Sequence, residues 1–110
     1  MRESLSALNP IIQPLNRFKI CAALRAFGAV ESQQRKEMRF GALRDETGLT
    51  DAMLSKQLKV LEEAGFVTRF REYGSTRAKD TVWVMLTAEG KNVFDSHLAA
   101  LREIAGDVVT

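Results

Sequence analysis

The sequence predicts a small, mainly α fold of the α+β class, with one β-hairpin and a long C-terminal helix. Three observations predict it. Apolar residues recur at helical spacing in windows between Leu15 and Ala64, and each window stops at a glycine. The period then changes to two over Phe66–Tyr73 (FVTRFREY) and Thr81–Leu86 (TVWVML). Helical spacing resumes after Thr87. At 110 residues the chain can bury one core but not two, so a single domain over 1–110 is expected.

Taken in order, residues up to about Leu8 carry little pattern and read as a short arm. Asn9-Pro10 suits the start of a single turn, Asn as the cap and Pro as the first helical residue. A helix follows over Leu15–Phe27, with Leu15, Phe18, Ala22 and Leu24 on its apolar stripe and Gly28 ending it. Residues 29–37 (AVESQQRKE) are polar and aperiodic, which predicts a loop, and Met38-Arg39-Phe40 a brief strand. A second helix is expected from about Gly41 to Thr47, with Phe40 and Leu43 facing inward and Gly48 at its end.

Thr50 is a good N-cap, and Asp51 stands where a helix dipole favours an anion. The third helix therefore runs Asp51–Ala64, buries Leu54, Leu58 and Leu61, and stops at Gly65. Between the two strands, Gly74–Asp80 forms a polar, basic hairpin tip. The final helix starts after its cap Thr87 and covers about 88–106. Its apolar positions Phe94, Leu98, Leu101, Ala105 and Val108 step by four and three, as in a seam between helices.

Composition narrows the functional classes. A hydrophobic fraction of 45% and a charged fraction of 27% are those of a folded globular protein. No apolar run reaches membrane-spanning length and no signal-peptide layout opens the chain, so a cytoplasmic location is expected. The single cysteine, Cys21, has no intramolecular disulfide partner and sits among Ile20, Ala22 and Ala23, as a small core residue would. His97 is the only histidine, too isolated to anchor a metal. Asp45-Glu46 and Glu62-Glu63 are neighbours on helices, so their carboxylates diverge, unlike an acid/base pair. Phosphate loops, dinucleotide fingerprints and nucleophile elbows are absent. Neither an enzyme nor a cofactor-binding protein is expected.

The element order carries the functional signal. A short helix, a tight glycine turn and a capped second helix over about 40–65 make a helix-turn-helix, whose second helix can enter the major groove. The hairpin at 66–86 is then a wing on flanking backbone or minor groove. Steps of 100° put Ala52, Lys56 and Lys59 opposite the buried leucines, with Met53 and Ser55 at the edges and Thr50 at the cap. Arg69 and Arg71 share one strand face, and Arg77 and Lys79 flank the tip. From Ala52 to Lys79 six basic residues stand against three acidic ones, in a chain of net charge +2. So moderate an excess favours a DNA reader that works as a dimer. Trp83 reads as a packing residue on the second wing strand.

The chain from Pro14 to Glu103 resembles winged-helix regulators related to the MarR and ArsR families. The pieces that carry the resemblance are PLNRFKICAAL, FGALRDETGLTDAMLSKQLKVLEEAGFV and the wing ending in VMLTAEG. It implies a sequence-specific, DNA-binding transcriptional regulator, dimeric through its terminal helices, with Ser55, Lys56, Lys59 and Arg77 at DNA. The loop Ala29–Glu37 is longer than usual for that group, and the cysteine-rich metal-binding helix of the ArsR metal sensors is missing. Double-stranded DNA and a second copy of the chain are the expected partners. A small-molecule effector is unspecified, and with no sensor domain in evidence it would bind at the dimer interface or act through a partner. The alternative is a winged helix used for protein interaction or as a subunit of a larger regulatory assembly; Met53 and Val60 are the only apolar residues near the outer face of the third helix.

Overall fold

A computed structural model describes residues 7–32, 36–75 and 79–109. In chain order the elements are α1 (Leu15–Phe27), β1 (Met38–Arg39), α2 (Phe40–Thr47), α3 (Asp51–Glu63), β2 (Val67–Glu72), β3 (Thr81–Leu86) and α4 (Ala88–Val109). Asn9 opens the described N-terminal part as a cap: its Oδ1 accepts from the backbone N–H groups of Ile11 and Ile12 at 2.8 and 3.3 Å. The backbone of α4 continues three residues beyond the expected end, running on through Gly106.

The core lies where α1, α2 and α3 meet the sheet and the first half of α4. It gathers Ile20, Cys21 and Leu24 from α1, Leu43 from α2, Leu54, Leu58 and Leu61 from α3, and Phe94 from α4. Each large aliphatic side chain removed from water contributes roughly 1.5–3 kcal/mol. The stripe of α1 differs from the sequence reading. Its buried line runs through Ile20, Cys21 and Leu24, while Leu15 is 65% exposed. Leu15 has the right spacing but stands in the first turn, beyond the reach of the core.

The sheet has the order β1-β3-β2 and both pairings are antiparallel. Val67 pairs with Leu86 and Glu72 with Thr81, so the hairpin keeps register along its whole length. The stretch read as a loop from residue 29 starts with a sheet contact. Leu86 N–H donates to Ala29 O and Glu31 N–H to Leu86 O, both at 2.8 Å, which bridges Val30 to the end of the central strand β3. A one-residue bridge has no period and leaves no trace in hydrophobic spacing.

Two stretches far apart in sequence close the fold. Thr87 Oγ1 donates to Gly65 O at 2.7 Å and accepts from Gly90 N–H at 2.9 Å, capping α4 against the end of α3. Thr87 N–H donates to Phe66 O at 3.0 Å. Gly90 packs flat on that same peptide: a Cβ there would lie 2.0 Å from Phe66 O. Further along α4, Asp95 accepts from Arg25 of α1 at 3.0 Å and from Lys91 at 2.9 Å. Partial burial alone would raise the Asp95 pKa; these two hydrogen bonds outweigh it and hold the carboxyl below its ordinary value.

His97 ties the N-terminal turn to α4. It is 1% exposed, its ring is 5.9 Å from that of Phe18, and its Nδ1 accepts from Asn9 N–H at 2.8 Å. Burial holds its pKa below the ordinary 6.5. A protonated ring would turn an acceptor into a donor facing a donor, so the proton binds more tightly to the unfolded chain. Stability is therefore greatest above pH 6.5 and is lost as pH falls from there through the lower folded-state pKa. Urea midpoints at pH 7.5 and 5.5 are expected to separate for the native chain and to converge in His97→Asn. Equal separations in both would locate the pH dependence elsewhere. Cys21, fully buried in α1, has its thiol pushed up to about 12 by burial and is a core residue.

Candidate nucleic-acid interface

The turn between α2 and α3 is short because both of its ends are capped. Gly48 takes the left-handed conformation (φ 72°) and donates its N–H to Arg44 O at 2.9 Å. Thr50 Oγ1 accepts from Met53 N–H at 3.1 Å. With Leu54, Leu58 and Leu61 fully buried, the same geometry turns Ala52, Met53, Ser55, Lys56 and Lys59 outward, and all five are exposed. Val60 is half-buried at the edge of this face.

The electrostatics of α3 depend on contacts that the helix itself does not contain. Of its three acidic residues, Asp51 accepts from Arg44 of α2 at 3.0 Å and Glu62 pairs with Arg69 of β2 at 2.6 Å. Glu63 lies exposed in the last turn. Lys56 and Lys59 make no ion pair among the described residues. Arginines from neighbouring elements thus neutralise two carboxylates and leave the lysines of the outer face uncompensated.

In the wing the structure separates residues that the sequence grouped. Arg69 and Arg71 do share a strand face, but Arg69 turns towards α3: besides Glu62, its Nη1 donates to Ser55 Oγ at 3.3 Å. It is engaged within the protein, in an ion pair and a hydrogen bond to α3. The cause is position, since β2 leaves α3 through a single turn and its third residue comes back level with the helix. Arg71 lies 3.7 Å from Asp80, whose other oxygen accepts from Gly74 N–H at 3.0 Å, closing the base of the tip. Lys79 is exposed at that base. Arg77 lies outside the described residues. On the other sheet face Trp83 sits opposite Phe70, and the Arg39 guanidinium stacks 5.5 Å from the Trp83 ring centroid, which accounts for Trp83 as a packing residue.

The seam expected on α4 is split. Phe94 is 2% exposed, 5.5 Å from the Phe18 ring and part of the core, so it is unavailable to a second chain. The inward line of α4 runs through Gly90, Phe94, His97 and Ala100, rotated from the line drawn through Phe94 and Leu98. Leu98 packs against the edge of the core, Leu101 is half-buried and Ala105 is exposed. Ile104, half-buried beside Leu101, belongs with them and was not singled out, although it stands three residues from Leu101. The Val108 side chain lies outside what is described.

Among the described residues no cluster of His, Cys, Asp or Glu could hold a metal ion, and no helix is long and apolar enough to cross a membrane. The family of winged helix DNA-binding domains matches residues 17–105, a span that includes most of α1, the helix-turn-helix, the wing and most of α4. The chain belongs to that family. Its fold is the winged helix of DNA-binding domains, shared with structures of MarR-family proteins. Similar solved structures include a transcriptional regulator homologue from Pyrococcus horikoshii OT3, at 18% identity and TM-score 0.73, covering 98% of each chain. NadR in complex with 4-hydroxyphenylacetate shares 22% identity at TM-score 0.67, over 98% of this chain and 69% of that one. AbsC, a MarR family transcriptional regulator from Streptomyces coelicolor, shares 23% identity at TM-score 0.63, over 99% of this winged-helix chain and 70% of AbsC. No curated protein sequence matches significantly.

Proposed function

We propose that this winged-helix protein regulates transcription in the cytoplasm as a homodimer that places α3 of each protomer in the major groove and performs no catalysis. The observation that carries the reading is the outer face of α3: exposed and cationic, with Lys56 and Lys59 unpaired among the described residues while Asp51 and Glu62 are neutralised. Lysine there meets phosphate or guanine, and Ala52, Met53 and Thr50 allow close approach to the groove. A protein-docking face would be apolar at its centre. Lys79, exposed at the base of the tip with Arg71 behind it, would meet flanking phosphates or a narrow minor groove.

Leu98, Leu101, Ala105 and Val108, joined by Ile104, form the dimer seam in this proposal. What supports it is that α4, 22 residues and about 33 Å long, outruns the core and leaves Leu101 and Ile104 half covered. Two copies of α3 related by a two-fold axis would then read an inverted repeat with half-sites about 34 Å, or a multiple of that, apart. Leu101→Glu would bury a charge at this seam, and the variant is expected to be monomeric and to lose most of its DNA affinity. Light scattering with a gel shift reads both. A native monomer, or an intact Leu101→Glu dimer, would refute the seam.

A further inference from the structure

The contact between the wing and the C-terminal half of α3 does more than close the surface. Glu62 Oε1 holds Arg69 Nε at 2.6 Å, and Arg69 Nη1 in turn donates to Ser55 Oγ at 3.3 Å. Glu62 and Ser55 are two turns apart on α3, and Arg69 spans them from β2. That bond is the only one the structure gives the Ser55 hydroxyl, whose hydrogen meets no acceptor among the described residues. A serine inside a helix often bonds back to a carbonyl one turn earlier; Ser55 does not.

We propose that Glu62, Arg69 and Ser55 form a relay that presents the Ser55 hydroxyl to DNA as a hydrogen-bond donor, making Ser55 a specificity-determining residue and Arg69 its positioning residue. The inference rests on α3 entering the major groove. A guanidinium donating to Oγ occupies one of its two lone pairs and adds positive charge that weakens the other as an acceptor, so the O–H is the favoured outward group. In the major groove guanine and thymine present O6 or O4, and both purines present N7, as acceptors, whereas cytosine presents only its N4 amino donor. The position that Ser55 faces therefore accepts guanine, adenine or thymine on the contacted strand and rejects cytosine. Lys56 and Lys59 supply attraction to the backbone; the relay supplies part of the reading.

The relay and a direct Arg69–phosphate contact predict opposite results for Glu62→Gln. If Arg69 contacted phosphate, removing Glu62 would free it and lower the negative charge, and binding would tighten. In the relay the same change lets Arg69 drift, and binding to the selected site weakens several-fold although the protein becomes more positive. Selection from random duplexes, run on the native chain, Ser55→Ala, Arg69→Gln and Glu62→Gln, separates the two. The native chain is expected to deplete cytosine at one position of each half-site. Ser55→Ala and Arg69→Gln should flatten that position alone and leave the salt dependence unchanged. Tighter binding by Glu62→Gln, or an Arg69→Gln salt slope lower by about one unit with base preferences intact, would overturn the relay. Native protein that enriches no sequence would instead remove the groove-reading role on which the relay rests.

Discussion

Gly90→Ala is expected to destabilise the protein by about 3 kcal/mol or more, the largest effect of any single methyl group in this fold. The added Cβ would stand 2.0 Å from Phe66 O, 2.8 Å from Phe66 C and 2.9 Å from its Cα. These are backbone atoms, so no rotamer change relieves the clash. Phe66 O is already held by Thr87 N–H at 3.0 Å, and Phe66 itself is buried. Moving α4 away with its cap would break the Thr87 bonds to Gly65 O and Phe66 O. Gly106→Ala is the control, because a Cβ there meets nothing within 4 Å and alanine favours the helix by about 1 kcal/mol over glycine. Thermal or urea melts of both variants decide the matter. A Gly90→Ala midpoint close to that of the native chain would show that α4 and the turn after α3 are not locked together as described.

That joint also shows what the sequence made legible and what it did not. The elements followed from local chemistry: Leu54, Leu58 and Leu61 at i, i+4 and i+7, Thr50 and Thr87 as caps, Gly28 and Gly48 as stops, and a change of period at Phe66. Each of these signals needs only neighbours in the chain. The ranges of α1 and β3 agree with the reading residue for residue.

Where the reading departed from the structure, the determining contact was long-range. Leu15 fits the stripe of α1 but has no element above it, and Phe94 fits a seam but is claimed by Phe18 from 76 positions earlier in the chain. Arg69 looked like a wing cation because its partners Glu62 and Ser55 lie on another element. Asp51 was legible as a helix-start anion, but its pairing with Arg44 across the turn was not. The candidate site was thus readable as a list of exposed cations on α3. Which carboxylates are neutralised, and so which cations remain free, depends on packing.

Lys56→Ala combined with Lys59→Ala is expected to abolish most DNA affinity without changing the fold. Both side chains are exposed and make no ion pair among the described residues, so their removal leaves no buried charge and no cavity. A dimer loses four lysines, and each that meets phosphate releases about one counterion on binding. The double variant should melt with the native chain and still bind weakly through the wing.

The most direct measurement is the slope of log affinity against log salt for native and double-variant protein on one duplex. If the outer face of α3 meets DNA, the native slope is steep and that of the variant is shallower by up to about four units, with much weaker binding throughout. Two coincident lines would place DNA, if it is bound at all, on some other surface of the protein.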